Sequence, residues 1–135
     1  MNLNEFAKEV HHNAVEHGWW EEPRSFGEII ALCHSELSEA LEEYRSGKPM
    51  VYYDCRADEY DEDCICEPGD TGCGYSSVGC TEKSEKPEGI AVELVDCIIR
   101  ILDYCGKEKI DIESVLRLKH EYNKTRPYKH GGKVI

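Results

Sequence analysis

The sequence lacks a long hydrophobic run. It contains no stretch of about eighteen apolar residues, so no membrane-spanning helix is predicted. The first ten residues carry polar side chains where a secretory signal peptide needs an uninterrupted apolar stretch. These two absences predict a soluble, cytoplasmic protein with no membrane partner.

Basic residues are also scarce. The 16 Lys and Arg residues face 28 Asp and Glu residues, which gives a formal net charge of -12. A surface that binds nucleic acid has to be locally basic, because it displaces counterions from phosphates. Nucleic acid is therefore not an expected partner.

The charge is unevenly distributed along the chain. From Asp54 to Glu88, eleven acidic residues face three basic ones. From Arg117 to Lys133 the balance reverses, with six basic residues and one acidic residue. This basic segment is compatible with phosphate binding and also with a solvated surface, and charge alone favours the solvated surface.

Helical periodicity dominates the rest of the chain. Apolar residues recur at helical spacing in four segments, which start near Leu3, Ser25, Pro87 and Asp111, and no convincing alternating strand is present. Asn2 and the S-x-x-E pattern at Ser25 indicate helix starts, while Gly18, Gly47 and Gly106 indicate ends. At 135 residues, the chain is predicted to form a single all-α domain over residues 1–135, a four-helix bundle.

Residues 48–86 follow neither the helical nor the strand period. They form a long, acidic, cysteine-bearing insertion between the second and third predicted helices. A loop of this length is typical of disorder, of a function, or of an ordering ion. No C-x-x-C pair occurs, but four of its five cysteines are enough for a structural zinc site. The possible zinc ligands are Cys55, Cys64, Cys66, Cys73 and Cys80.

Two acid-x-x-acid patterns carry the strongest chemical signal. Glu36 and Glu39 share one face of the second helix, and Glu93 and Asp96 share one face of the third. The third helix is otherwise almost wholly apolar, so Glu93 and Asp96 are expected to be desolvated and to need a cation. Arg100 is the obvious protein partner. Four carboxylates with only oxygen ligands suit Mg²⁺ or Mn²⁺ rather than zinc.

The acid pairs and their flanking residues resemble the MazG-like all-α nucleoside triphosphate pyrophosphohydrolases. The family motif, E-x-x-E on one helix and E-x-x-D on the next, is matched by Glu36/Glu39 and Glu93/Asp96. The segments 88–96 and 119–127 also look like MazG-like proteins, and the likeness covers residues 1–47 and 87–133. The insertion is much longer than the connection common in that family.

The resemblance implies Mg²⁺-dependent hydrolysis of a nucleoside triphosphate to the monophosphate and pyrophosphate. The four acids would coordinate Mg²⁺, or Mn²⁺ in its place, and Glu39 is the predicted general base that accepts a proton from water. The resemblance also implies a homo-oligomer, a dimer or a tetramer. A non-catalytic nucleotide-sensing or partner-binding module with a zinc-binding insertion is the alternative.

The resemblance places two groups of residues at the nucleotide. Trp19, Trp20, His17 and Asn13 would form the base pocket, although one tryptophan is expected to pack internally and the polar residues could equally be surface residues. Lys119, Asn123 and Arg126 are phosphate candidates on the fourth helix, for which plain solvation is about as good an account. The base that is recognised stays open.

Overall fold

The computed structural model describes residues 2–55 and 83–128. These residues form four helices and two short strands. In chain order they are α1 (Leu3–Glu16), α2 (Phe26–Arg45), β1 (Tyr52–Cys55), β2 (Lys83–Glu88), α3 (Ile90–Lys107) and α4 (Ile112–Lys124). The prediction of a mainly helical chain is confirmed. Among the described residues, no helix combines the length and apolar character that crossing a bilayer needs.

Side-chain caps fix where three of the helices begin. Asn2 accepts a hydrogen bond from the Glu5 amide at the start of α1. Ser25 and Glu28 form a reciprocal capping box at the start of α2, and Asp111 accepts from the Ser114 amide ahead of α4. These caps satisfy amides that have no partner inside the helix. The predicted starts of α1, α2 and α4 are therefore confirmed.

The start of α3 differs from the prediction. Pro87 was expected in its first turn, but it lies in β2, opposite Tyr53 in an antiparallel two-stranded sheet that the sequence did not predict. The chain enters α3 through Gly89, whose φ of +116° is strained for any residue with a side chain. A Cβ there would lie 2.7 Å from the Pro49 carbonyl oxygen. The sheet and this glycine therefore set the start of α3.

The end of α3 also differs. Gly106 was predicted to stop the helix, but α3 continues through it to Lys107. A Cβ on Gly106 would lie only 2.3 Å from the Ala7 carbonyl oxygen. The missing side chain therefore allows close contact between α1 and α3, rather than ending the helix.

The chain divides into two compact units. The mid-chain unit is Arg24–Arg100, and the terminal unit joins Met1–Pro23 to Ile101–Ile135. The core of the terminal unit consists of Ala7, Leu102 and Cys105. Apolar residues of α1 and of the segment entering α4 pack around it, namely Phe6, Val10, Ile110 and Ile112.

Most apolar residues of α4 lie outside this core. Ile112 is half-buried, but the other large apolar residues of this helix are exposed. They are Val115, Leu116, Leu118 and Tyr122. The apolar spacing identified the helix correctly, but only its first turn packs against the core cluster of this chain.

The mid-chain unit contains α2, the sheet and residues 90–100 of α3. Ile29, Cys33 and Ala40 are the buried apolar residues of α2, and Tyr52 and Cys97 are buried in β1 and α3. The third helix is almost wholly apolar in sequence, but Leu94, Val95 and Ile98 are all exposed. One face of α3 therefore packs within this unit while a second apolar face stays uncovered in the single chain.

Candidate metal centre

Three carboxylates of the mid-chain unit converge into what we call the acid cluster. Glu36 of α2 and Glu93 and Asp96 of α3 each offer a carboxylate oxygen, and these oxygens lie within 4.8 Å of one another. Glu36 is only 5% exposed and Glu93 only 8%, while Asp96 is half-buried. Carboxylates at this depth need a partner, because burying an unpaired charge is costly.

The helices bring these residues together in an antiparallel arrangement. Glu39 acts electrostatically on Glu93, and Glu36 acts on Asp96. The residue numbers therefore rise along α3 while those of their partners fall along α2. Residues three apart on a helix share one face, which places each acid pair toward the other helix. The capping box at Ser25 and the turn at Gly89 set the starts of the two helices.

The electrostatics of the acid cluster favour a bound cation. Burial raises the pKa of the Glu93 carboxyl, and the neighbouring Glu39 and Asp96 raise it further. Burial likewise raises the pKa of Asp96, with a further contribution from Glu36 that Arg100 partly offsets. Both shifts mean that the charged form is disfavoured in the protein without an ion.

Arg100 and Lys86 are protein cations near the acid cluster. Arg100 donates a hydrogen bond from Nε to the Oε1 atom of Glu36, and its charge also acts on Asp96. Lys86 of β2 lies 2.8 Å from Glu88 through its Nζ atom, and Glu93 and Asp96 also act on its charge. Four carboxylates therefore interact with these two cations, and among the described residues Glu39 adds a further negative charge beside Glu93.

The donor set fits a hard divalent cation. All ligand atoms in the acid cluster are carboxylate oxygens, the type that Mg²⁺ and Mn²⁺ prefer, and neither sulfur nor imidazole belongs to it. Glu36, Glu93 and Asp96 would hold the ion.

Glu39 lies beside the acid cluster rather than within it. It is exposed, and it is not among the residues whose oxygens converge within 4.8 Å, although its charge acts on Glu93. A carboxylate that borders the cluster is better placed to accept a proton than one that is fully engaged in coordination. Its roles as a metal ligand and as the general base stay predictions.

A different carboxylate holds Trp20, one of the predicted base-pocket residues, in the terminal unit. Asp103 of α3 accepts hydrogen bonds from the indole Nε1 of Trp20 at 3.0 and 3.1 Å, and from His11 Nδ1 at 2.7 Å. The His11 and Trp20 rings meet edge to face, with 5.6 Å between their centroids. Lys107 places its Nζ atom 4.9 Å from the centroid of the Trp20 ring. Trp20 is therefore held in a fixed position.

The remaining base-pocket candidates lie in the same unit. Trp19 is 50% exposed, and the Asn13 side chain is exposed. His17 caps α1 and pairs through Nδ1 with the Asn13 carbonyl oxygen at 2.8 Å. The structure thus distinguishes the two tryptophans, since only Trp20 is half-buried and bonded to Asp103.

The three phosphate candidates are all exposed on or just after α4. Lys119 places its Nζ atom 5.0 Å from the centroid of the Tyr122 ring. Asn123 accepts a hydrogen bond through its carbonyl from the Arg126 amide. All three belong to the terminal unit, whereas the acid cluster belongs to the mid-chain unit.

The possible zinc ligands fall almost wholly outside the described residues. Cys64, Cys66, Cys73 and Cys80 lie in the segment 56–82, and Cys55 contributes its backbone to β1. The zinc interpretation of the insertion stays a prediction.

Sequence reasoning missed two features. Lys86 was counted as part of the insertion, and the pairing of its strand β2 with β1 gave no periodic signal over so few residues. Asp103 carried a usable signal, because it also interrupts the apolar run of α3, seven residues after Asp96.

Comparison of the chain with protein-family models, with curated proteins and with solved structures gives no match. The resemblance to MazG-like proteins therefore depends on the motif residues and their flanking segments alone.

Proposed function

We propose that the chain is a Mg²⁺-dependent nucleoside triphosphate pyrophosphohydrolase with a MazG-like four-helix bundle. The observation that carries this proposal is the acid cluster, in which three carboxylates converge and burial raises the pKa of Glu93 and Asp96 although Arg100 and Lys86 lie nearby. Its spacing on α2 and α3 is that of the family motif. The fold type, the reaction and the metal are proposed together, because the same residues support all three.

In this mechanism the acid cluster and its neighbours have separate tasks. Glu36, Glu93 and Asp96 hold the ion, and Arg100 keeps Glu36 oriented through their hydrogen bond. Bound Mg²⁺ supplies charge neutralisation on the phosphates and makes a water more acidic. Glu39 accepts the proton of the water that attacks phosphorus, and pyrophosphate leaves.

Lys86 is a further candidate for phosphate contact. Its side chain is exposed, and it lies in the strand next to the acid cluster, paired with Glu88. An ammonium group suits an anionic phosphate as a point charge. Lys86 supports the proposal from within the mid-chain unit, whereas Lys119 and Arg126 belong to the terminal unit.

A panel of nucleoside triphosphates tests the activity. The full chain is incubated with each ribo- and deoxyribonucleoside triphosphate in the presence of Mg²⁺, and released pyrophosphate is measured. We expect pyrophosphate and the monophosphate from at least one nucleotide, and no free inorganic phosphate before a pyrophosphatase is added. Chelation of Mg²⁺ should abolish the signal.

The outcome separates the enzyme from the alternative module. Nucleotide binding without turnover, lost in the Glu93→Gln variant, would favour a non-catalytic nucleotide sensor. Absence of both binding and turnover would overturn the proposal. Release of inorganic phosphate alone would show a different bond being cleaved.

We also propose that the chain forms a homo-oligomer through the uncovered apolar faces of the mid-chain unit. On α2, Leu37, Leu41 and Tyr44 are exposed at helical spacing, and α3 exposes Leu94 and Ile98. Rows of exposed apolar side chains at helical spacing are typical of an interaction site. Sedimentation should show a dimer or tetramer at micromolar concentration, which Ile98→Glu shifts to monomer and the control Glu42→Gln does not.

A further inference from the structure

Four side chains of α4 form an exposed face that is both apolar and basic. Val115, Leu118 and Tyr122 are each more than half exposed. Lys119 is also exposed, and its Nζ atom lies 5.0 Å from the centroid of the Tyr122 ring. Successive residues of a helix are about 100° apart, so these four side chains fall within an arc of about 100°. We call them the α4 face.

The α4 face is open to a partner of definite chemistry. Among the described residues of α4, only Ile112 packs against the core cluster of the terminal unit. An amphipathic helix normally buries its apolar side, so the apolar part of the α4 face fits an apolar partner. Residues 117–126 contain four basic residues and one acidic residue. The partner that fits both properties is a segment that combines acidic with apolar side chains.

The chain itself carries such a segment. Residues 58–67, which we call the acidic segment, contain six acidic residues and no basic residue, with Tyr60 and Ile65 among them. They belong to the stretch 56–82, outside the described part of the chain. Its two ends are placed side by side, because Cys55 pairs with Lys83 between β1 and β2. Half of this stretch, about 13 residues, spans at most about 45 Å from the sheet, which is enough to reach a neighbouring molecule.

We propose that the α4 face binds the acidic segment of a second copy of this chain. The carboxylates of the segment pair with Lys119 and the other basic residues of this region, and its apolar side chains cover those of the α4 face. An apolar centre with a charged rim is the usual composition of an interface. Each copy offers one α4 face and one acidic segment, so two copies related by a two-fold axis make the contact twice.

This contact differs in kind from the apolar faces of α2 and α3 proposed above as oligomer surfaces. Attraction between Lys119 and carboxylates is screened by salt, whereas the burial of apolar surface is not. Neither the acid cluster nor the proposed activity takes part in it. The two contacts can therefore be measured separately.

Zero-length cross-linking of the full chain tests the proposal. Unlabelled and isotopically heavy chains are refolded together from urea in equal amounts, and a carbodiimide then joins lysine amines to the carboxyl groups that they contact. Trypsin leaves a cross-linked Lys119 in the peptide 118–124 and the acidic segment in the peptide 57–83. We expect these two peptides to be linked, with mixed light and heavy pairs as abundant as pairs of one isotope.

The isotope pattern decides between one chain and two. Linked peptides that always carry the same isotope would show a contact within one chain, and they would overturn the proposal. Absence of any link between the peptides 118–124 and 57–83 would overturn it as well. Circular dichroism of the refolded mixture, compared with untreated protein, establishes that the cross-linked material is folded.

Two leucine variants separate the α4 face from the charge of the region. Leu118→Ser removes an exposed apolar side chain and keeps every charge, and we expect the yield of the mixed link to fall about fivefold. Leu116→Ser is the matched control, because Leu116 is an exposed leucine of the same helix about 60° outside the arc. Its yield should stay within about twofold of the natural chain.

Salt supplies the complementary readout. At about 1 M NaCl the screening length falls to about 3 Å, and most of the mixed link should be lost in the natural chain. A yield that did not change with salt, or that fell equally in Leu118→Ser and Leu116→Ser, would overturn the α4 face as the binding surface.

Discussion

Asp96 and Asp103 are two aspartates of one helix with opposite surroundings. Asp103 receives hydrogen bonds from Trp20 and His11, so its charge is compensated by protein donors. Asp96 lies among Glu36 and Glu93, and its pKa is raised by burial and by Glu36. A carboxylate in an apolar helix always needs a partner. The terminal unit supplies that partner from its own side chains, whereas in the mid-chain unit Arg100 and Lys86 offset the burial of Asp96 only in part.

The largest expected effect is a loss of activity on substitution of the carboxylates in the acid cluster. Glu93→Gln and Asp96→Asn should each lower Mg²⁺-dependent pyrophosphate release by more than about 100-fold, the upper end of the loss seen when a residue merely supports a metal ligand. Both substitutions keep the shape of the side chain and remove its charge. Calorimetry should show Mg²⁺ binding lost in parallel with turnover.

Two control variants sharpen this result. Glu42→Gln changes an exposed glutamate of the same helix as Glu36, and it should leave turnover within about twofold of the natural chain. Asp103→Asn removes an equally placed charge from α3 outside the acid cluster, and it should leave Mg²⁺ binding intact. Loss of Mg²⁺ binding in either control would show that overall charge, not the cluster, attracts the ion.

The second effect is on stability, and here Asp103 rather than Asp96 is the sensitive position. Asp103→Ala leaves Trp20 Nε1 and His11 Nδ1 without their acceptor, and bonds to a charged group contribute about 1.5–3 kcal/mol each before non-additivity. We expect the free energy of unfolding to fall by about 3 kcal/mol in urea denaturation without metal. An unchanged unfolding midpoint would show that the network contributes little.

The acid cluster was predictable from sequence because its signal is local. Glu93 and Asp96 interrupt an apolar helical run, and that pattern alone requires a partner for each carboxylate. The same pattern applies to Asp103, where sequence could not reveal that His11 and Trp20 lie within reach. Pattern identifies the need for a partner, and only the tertiary contacts show whether a side chain or an ion meets it.

The positions of the helices were also predictable from sequence wherever the signal is local. Caps at Asn2, Ser25 and Asp111 act within one turn, so the residues themselves reveal them. Pro87 and Gly106 were misread because each has two structural uses. Proline suits a strand position opposite Tyr53 as well as a first turn, and glycine permits close helix contact as well as a helix end.

Gly106 offers a third test, which is confined to the terminal unit. A methyl group there would meet the Ala7 carbonyl oxygen at 2.3 Å, so α1 and α3 must separate. We expect Gly106→Ala to destabilise the fold by about 2 kcal/mol, since overpacking outweighs the better helix propensity of alanine. Gly27→Ala is the control, because its Cβ would meet only Ser25 Oγ at 3.9 Å, and it should stabilise slightly. Equal effects would argue against a tight helix contact.

The smallest expected effect is a gain in stability. In the absence of metal, Glu93→Gln and Asp96→Asn remove charges that burial disfavours, and each should raise the free energy of unfolding by about 1 kcal/mol at neutral pH. Excess Mg²⁺ should reverse the order, because binding to the native state stabilises only a chain that keeps its ligands. Thermal unfolding with and without Mg²⁺ measures both signs.

The pH dependence of that gain identifies its cause. The folded-state pKa values of Glu93 and Asp96 are raised, so the folded chain binds these protons more tightly than the unfolded chain does. The ionised carboxylates destabilise the fold fully above their folded-state pKa values, and this destabilisation disappears as the pH falls toward their unfolded-state pKa values.

Two other carboxylates change stability with pH in the opposite direction, and they do so in every variant. They are Glu28 and Asp111, whose pKa values are lowered chiefly by hydrogen bonds from Ser25 and Ser114. The measured quantity is therefore the difference in unfolding free energy between the variant and the natural chain, and this difference should shrink on acidification. A difference that stayed constant with pH would assign the gain to packing rather than to charge.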